Sequence, residues 1–289
     1  MARQAECAAP HVLVTGAAGY LGHEIVEALA RRRARVSGCD RIAADGVEAC
    51  DLGVPGAAHA LIDRVAPDVV VHAAALLPRS RADYDDEAQG AANLALVDAV
   101  IAARPARVVF ISSMTVYSAL TPGPVAEEDA VPRSAYARAK LEGEHRFAAA
   151  GLPWCAARLP GLFGGRRKGG LVGNLSACAI DGREPTLPAA PLVWAALHVA
   201  DAADGVARLA LNGAAQGPVN LGYPGPLSVN RLLDAIAAAS GRRFSCALAH
   251  PDFEMRLERA RAYGADCRIP FDARLVALID ELRQERARP

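Results

Sequence analysis

The stretch His11-Val12-Leu13-Val14-Thr15-Gly16-Ala17-Ala18-Gly19-Tyr20-Leu21-Gly22 runs a short apolar segment into a turn with glycine at every third position. Beyond it, Ile25, Val26 and Leu29 recur at helical spacing as far as the Arg31-Arg32-Arg33 cluster. Strand, glycine turn and helix in that order suit the pyrophosphate of a dinucleotide. Glycines let the backbone approach closely, and the free N–H groups of a helix start carry partial positive charge. The spacing is Gly-x-x-Gly-x-x-Gly rather than Gly-x-Gly-x-x-Gly, and alone it is also what a tight strand-to-helix turn needs. Gly16, Gly19, Tyr20 and Leu21 are the candidate contacts at this turn.

Arg35-Val36-Ser37-Gly38-Cys39 is the next short strand and ends at Asp40, eighteen residues after Gly22. A carboxylate there accepts hydrogen bonds from a ribose diol and repels a 2′-phosphate, so NAD is favoured over NADP. Arg41 pulls the other way, since it could receive that phosphate. Asp51-Leu52 precedes a helical stretch from Ala57 to Val65; Asp51 either reaches an adenine edge or caps a helix. Asp68-Val69-Val70-Val71-His72 reads as a buried strand that ends in Ala73-Ala74-Ala75, residues small enough for a flat cofactor to lie over the sheet edge. His72 reads as a packed or hydrogen-bonded strand-end residue. A helix follows from Asp85 to Arg104, with Pro105 helping to end it.

Arg107 to Tyr117 is a further buried strand with hydroxyls at its carboxyl end, where open α/β sheets bind ligands. Ser113 is therefore a candidate for chemistry; capping a loop is the plainer role for Ser112 and Ser113. A proline-rich acidic loop, Thr121 to Pro132, leads to a helix from Tyr136 to Ala150, and Trp154 to Leu159 is a strand closed by Pro160-Gly161. Then come a glycine and basic loop (Leu162 to Gly170) and helices from Leu171 to Ile180 and Val199 to Leu211. A short strand (Pro218 to Leu221), a helix from Ser228 to Ser240 started by Ser228, and a terminal helix from Asp272 to Arg286 complete the chain. Alternation of this kind predicts an α/β fold with a doubly wound parallel sheet. Residues 1–160 form the expected NAD-binding domain, 188–222 return to it, and 161–289 mainly form a small C-terminal substrate-binding lobe.

Within Ser134-Ala135-Tyr136-Ala137-Arg138-Ala139-Lys140, tyrosine and lysine stand four residues apart and share a helix face. An ammonium beside a phenol favours the phenolate, which would let Tyr136 act as an acid–base catalyst. A chance surface pair is the plain alternative. Lys140 and Lys168 are the only lysines, which makes Lys140 a poor candidate for surface decoration. Lys and Arg together number 32, matching 32 Asp and Glu, so composition points to neither nucleic acid nor a membrane surface as partner. Seven scattered cysteines without a C-x-x-C pair argue against zinc or a disulfide framework and for a reducing compartment. Residues 1–10 hold Arg3 and Glu6 with no apolar core, and no run is long enough for a membrane span. A soluble, cytoplasmic protein without a metal is expected.

Gly16-x-x-Gly19-x-x-Gly22, Asp40, Ser113 and Tyr136-x-x-x-Lys140, in that order, resemble an extended short-chain dehydrogenase/reductase of the NAD-dependent epimerase/dehydratase family. Asp51-Leu52, His72-Ala73-Ala74, Ser112-Ser113-x-x-Val116-Tyr117, Arg158-x-Pro160-Gly161, His198-Val199-x-Asp201 and Asn220-Leu221-Gly222 extend the similarity over most of the chain. The resemblance implies bound NAD, with NADP possible, and a catalytic group of Ser113, Tyr136 and Lys140. Tyr136 would exchange the proton, Lys140 would lower its pKa and hold the nicotinamide ribose, and Ser113 would stabilise the carbonyl oxygen. Pro160 is expected near the carboxamide. The resemblance also implies a homodimer joined through the helices of Tyr136 and of Asp85 to Arg104.

Several positions depart from the family pattern. Met114-Thr115 stand where sugar dehydratases carry an acidic pair, which disfavours dehydration. Trp194 replaces an arginine that grips a diphosphate, Gly161 replaces an asparagine, the usual helix asparagine falls at Glu87, and no C-terminal arginine matches clearly, although Arg256, Arg259 and Arg261 lie nearby. Arg166, Arg167 and Lys168 could compensate or form a solvated loop. Ser113, Met114, Thr115, Gly161, Arg166, Arg167 and Trp194 are the candidate substrate contacts. The expected activity is NAD-dependent oxidoreduction or epimerisation of a sugar or nucleotide-sugar hydroxyl or ketone. The alternative is a dehydrogenase or ketoreductase of a small hydroxy acid or natural-product ketone without a nucleotide diphosphate.

Overall fold

The structure, a computed structural model, describes residues 9–117 and 123–287. Arg3, Glu6 and Cys7, with residues 121 and 122 of the acidic loop, lie outside them. In chain order the first half comprises β1 (His11–Thr15), α1 (Tyr20–Arg31), β2 (Arg35–Asp40), β3 (Val47–Ala49), α2 (Ala57–Val65), β4 (Val69–His72), α3 (Glu87–Ala102), β5 (Val108–Ser113), β6 (Pro124–Val125) and α4 (Ala135–Ala149). The second half comprises β7 (Trp154–Leu159), β8 (Gly161–Phe163), α5 (Gly170–Asp181), β9 (Ala196–His198), α6 (Val199–Leu211), β10 (Gly217–Asn220), α7 (Val229–Ser240), β11 (Glu254–Met255), α8 (Glu258–Ala262) and α9 (Phe271–Ala287).

Seven strands form one parallel sheet in the order β10-β7-β5-β4-β1-β2-β3. Its strands are near-continuous apolar runs because both faces are covered. Val12, Val14, Val69, Val71 and Val109 belong to the core shared with α1 and α6. Their neighbours Leu13, Val70, Val108 and Phe110 point the other way, against Leu61 and Ile62 of α2, Val97 and Val100 of α3 and Phe147 of α4. Period-two alternation within each strand therefore feeds two cores. Helices α5, α7 and α9 pack on one another beyond this sheet, and their apolar faces join the first core.

Helix starts follow the capping residues. Asp86 accepts from the Gln89 N–H at 3.1 Å, Ser134 from Ala137 at 3.2 Å and Ser228 from Arg231 at 3.3 Å. The strand expected from Arg107 to Tyr117 stops at Ser113. Here the Ser113 Oγ accepts from the Thr115 N–H at 3.2 Å and turns Met114–Val116 into a single 3₁₀ turn. The loop expected from Leu162 to Gly170 begins instead inside β8, which pairs in parallel with β9. Such two- or three-residue strands offer too few positions for a period to register.

Candidate active site

The carboxyl ends of β1, β2, β4, β5 and β7 open on one cavity of about 1220 Å³, larger than the roughly 1,000 Å³ upper range of small-ligand pockets. At one end lies the glycine turn. Gly16 has φ +71°, and a Cβ there would sit 2.8 Å from the Ala74 nitrogen; a Cβ on Gly22 would fall 2.0 Å from the Gly16 carbonyl oxygen. Only glycine allows β4 and the start of α1 to approach this turn so closely. Gly19 occupies the N-cap of α1 and supplies no capping side chain, so the first-turn N–H groups are left for an anion.

Asp40 closes this end. Its two carboxylate oxygens accept from the Ala18 N–H at 3.2 Å and the Arg41 N–H at 2.7 Å, which aims the group across the turn. Asp51 accepts from the Gly53 N–H at 2.9 Å, whereas α2 starts later behind Gly56, so a helix-capping role falls away. Asp51, Leu52, Arg41, Ala73, Ala74 and Ala75 all line the cavity with Gly16, Gly19, Tyr20 and Leu21. This turn, in which Gly16 and Gly22 leave no room for a Cβ, with one oriented carboxylate and an uncapped helix start, fits a dinucleotide. His72 is outside it: the ring is buried, hydrogen-bonds Thr15 Oγ1 at 2.9 Å and stacks on Phe110, and burial together with Lys140 lowers its pKa to about 3.

At the other end Ser113, Tyr136 and Lys140 come together with Met114, Thr115, Pro160, Gly161 and Trp194. Helix α4 carries Tyr136 and Lys140 on its inner face, the Lys140 Nζ lying 5.7 Å from the Tyr136 ring centroid. Lys140 donates to the Ile111 carbonyl at 2.9 Å and lies 4.9 Å over the Phe110 ring. Ser113 Oγ accepts from both the N–H (3.2 Å) and the hydroxyl (3.0 Å) of Thr115. A hydroxyl has two acceptor sites and one proton, so the Ser113 proton is left to donate into the cavity.

The expectation that Lys140 would hold the phenol below its ordinary value is not met. Burial pushes Tyr136 well up, and the neighbouring Tyr84, whose ring meets it edge-on at 5.8 Å, pushes the same way. Burial also brings Lys140 down from 10.5 to about 8, with Glu144 opposing. Desolvation is the largest influence on both groups in this protein. A pH effect follows. Between about 8 and 10.5 the unfolded lysine holds a proton that the folded one has released, so the Lys140 contribution makes stability rise with pH. Tyr136 works in the opposite sense only above 10, where the unfolded phenol ionises and the buried one does not. The cofactor-free protein should therefore gain stability relative to Lys140→Met from pH 8 to pH 10 in urea titrations. Parallel pH curves for the two would refute this balance.

Arg166 does not line the cavity, contrary to expectation: it is exposed and its Nη2 reaches back to the Gly19 carbonyl at 3.3 Å. The reason is local. Tyr20 donates to the Gly164 carbonyl at 2.6 Å, which draws the basic loop onto the start of α1. Arg167 lines the cavity 6.0 Å from the Tyr20 ring, and Lys168 pairs with Glu281 and Glu285 of α9. Arg259 binds Glu128 and the Pro218 carbonyl, and neither it, Arg256 nor Arg261 lines the cavity. Sequence reasoning missed Tyr84, Ile111, Leu192, Val193 and Phe253, which also line it. They lie in segments of weak period or, like Ile111, look like plain core.

A sequence model of the NAD dependent epimerase/dehydratase family matches residues 12–222. Methionine adenosyltransferase 2 subunit beta of Bos taurus is 34% identical over 53% of this chain, which spans about half (47%) of that relative's length. UDP-glucose 4-epimerase of Azospirillum brasilense is 29% identical, over 96% of this chain and 86% of its own. The crystal structure of Thermus thermophilus UDP-glucose 4-epimerase in complex with NAD superposes with a TM-score of 0.78 at 24% identity, covering 94% of this chain and 99% of that one. The matched segment takes in the glycine turn, Asp40, Ser113, Tyr136, Lys140 and the strands that carry them, and on it the chain belongs to the NAD-dependent epimerase/dehydratase family.

Proposed function

We propose that the protein binds NAD and moves hydride to or from a secondary carbinol or ketone carbon of a sugar-derived substrate, with Tyr136 as the acid–base group. The observation that carries this reading is one cavity with the glycine turn and Asp40 at one end and Ser113, Tyr136 and Lys140 at the other. Bound NAD supplies the hydride donor or acceptor and, when oxidised, a positive charge. Ser113 donates its free proton to the substrate oxygen as negative charge grows there. Tyr136, kept protonated by burial, gives its proton to that oxygen during reduction and takes it back during oxidation. Lys140 keeps two N–H groups beyond the one spent on Ile111, and they are available to a ribose hydroxyl.

Met114 and Thr115 carry no carboxyl group, so the reading is oxidoreduction or epimerisation without loss of water. Following reduced-cofactor absorbance with candidate substrates tests it. Net change identifies a dehydrogenase or reductase, isomer formation without net change an epimerase, and neither outcome with any sugar-derived alcohol or ketone rejects the proposal. The Asp40 carboxylate supports NAD over NADP. Asp40→Ala is expected to weaken NAD about 10–100-fold, the worth of a hydrogen bond to a charged group at roughly 1.5–3 kcal/mol. Fluorescence titration with NAD checks this, and an unchanged affinity would remove Asp40 from the cofactor site.

Three further readings go with it. Residues 188–222, with α6 and β10, return to the NAD-binding domain of residues 1–160, while the rest of 161–289 mainly supplies the substrate lobe. A homodimer through α3 and α4 is supported by the exposed Ala88, Ala91 and Ala95, which allow close helix packing. A cytoplasmic location is supported by six free cysteines among the described residues. No helix among the described residues is long and apolar enough to cross a membrane.

A further inference from the structure

Arg167 stands apart from its neighbours in the basic loop. Arg166 donates to the Gly19 carbonyl at 3.3 Å and Lys168 pairs with Glu281 and Glu285, whereas no carboxylate among the described residues pairs with Arg167. Its guanidinium lines the cavity 6.0 Å from the centre of the Tyr20 ring, at the outer limit of a cation–π contact. Such a contact is weak at an exposed position, and it leaves the N–H groups of the fork unspent.

The backbone that presents this side chain is fixed. Tyr20 donates to the Gly164 carbonyl at 2.6 Å, and Gly164 and Arg167 form an antiparallel bridge. Gly164 and Gly165 take φ +80° and +59°, and a Cβ on Gly165 would meet Val199 Cγ1 at 2.8 Å. Glycine therefore lets the loop turn back sharply between the first turn of α1 and the start of α6.

The glycine turn itself brings no cation. Residues 11–30 contain neither lysine nor arginine, so a dianionic pyrophosphate there would meet N–H dipoles alone. Among the described residues, the cations lining the cavity are Arg41, Arg81, Arg133, Lys140 and Arg167. Arg41 stands beside Asp40 at one end, and Lys140 beside Tyr136 at the other. Arg133 lies three residues before Tyr136, and Arg81 three before Tyr84, whose ring abuts Tyr136. Arg167, held by Tyr20, is the one beside the glycine turn.

From this placement we infer that Arg167 is the counter-charge of the cofactor's pyrophosphate, meeting it from the loop side while the first-turn N–H groups of α1 meet it from the other. Its planar fork spans two oxygens at once, which the point charge of a lysine does not. The basic loop then serves the cofactor, and Arg167 is not a substrate contact. The inference rests on the reading that NAD occupies this cavity.

The test measures by calorimetry the affinity of the full chain for NAD, ADP-ribose and adenosine, in the wild-type protein, Arg167→Gln and Arg167→Lys. Arg167→Gln is expected to weaken NAD and ADP-ribose about tenfold, the lower worth of a hydrogen bond to a charged group. Adenosine, which has no phosphate, should bind as before. Added sodium chloride should weaken NAD less in Arg167→Gln than in the wild-type protein, and Arg167→Lys should restore the salt dependence with part of the affinity. A merely structural Arg167 would move adenosine together with the other two and leave the salt dependence unchanged, and that result overturns the inference. So does wild-type NAD affinity in Arg167→Gln; if this variant, saturated with NAD, instead loses affinity for UDP, Arg167 belongs to the substrate site. Failure of the cofactor reading is separate: a wild-type protein that binds neither NAD nor ADP-ribose overturns that reading and the inference with it.

Discussion

Tyr136→Phe is expected to lower turnover by about 10²–10⁴-fold, the usual contribution of a positioned acid–base group, with little change in NAD affinity or in melting temperature. The ring stays: its edge-on contact with Tyr84 at 5.8 Å and its place on the inner face of α4 need no hydroxyl. What goes is the proton. Among the described residues none hydrogen-bonds the Tyr136 hydroxyl, so its removal orphans no partner. The raised phenol pKa gives the effect a direction. In the wild-type protein, reduction should be nearly independent of pH across the neutral range, because the acid form is already present. Oxidation should rise with pH, because it needs the ionised form. Steady-state rates of both directions for both proteins check this. A Phe variant with rates near wild type would remove Tyr136 from the proton path, and a pH-independent oxidation would leave the proton going elsewhere.

The route from sequence to site was short where chemistry and period coincide. The glycine turn declares itself because three glycines interrupt an apolar run, and only that residue tolerates the 2.0 Å approach that a Cβ on Gly22 would make. Ser113, Tyr136 and Lys140 were legible because two sit at helical spacing and the third ends a buried strand. Their electrostatics were not. Spacing places an ammonium near a phenol, but the sign of the shift depends on how much water remains, and here burial wins for both groups. The basic loop shows the same gap. Arg166, Arg167 and Lys168 are alike in charge, yet they go to three different places: the Gly19 carbonyl, the Tyr20 ring and Glu281 of α9. Phe253 and the 192–195 segment reach the cavity through pairings with β8 and Leu227 that no local pattern announces.

Arg158 offers the sharpest case of a residue that a motif marks and the structure explains otherwise, and it leads to the largest stability effect. It lies on β7 at 2% exposure and never reaches the cavity. Its Nε and Nη2 form two bonds to Glu144 of α4, at 3.0 and 2.6 Å, and its Nη1 donates to the Tyr117 hydroxyl at 3.0 Å and the Glu127 carbonyl at 2.6 Å. Ser112 completes the set by donating to Glu144 at 2.5 Å. Glu144→Gln keeps the shape but leaves a buried guanidinium without its counter-charge, which costs roughly 3–5 kcal/mol. At about 2–4 °C per kcal/mol for chains of 150–250 residues, the melting temperature should fall by about 10 °C. The double variant Glu144→Leu with Arg158→Met should recover much of that loss, since apolar replacements of a buried pair are often neutral or better. A loss in the double variant as large as in Glu144→Gln would mean that Ser112 and Tyr117 rely on the charges and not on the packing. The pair also acts on the chemistry. Glu144 is one turn beyond Lys140 and is the group that opposes its fall towards neutrality. Its replacement should move the Lys140 titration below about 8 and shift any pH profile that depends on the cation in the same direction. A merely structural Glu144 would cost stability and leave that profile where it was.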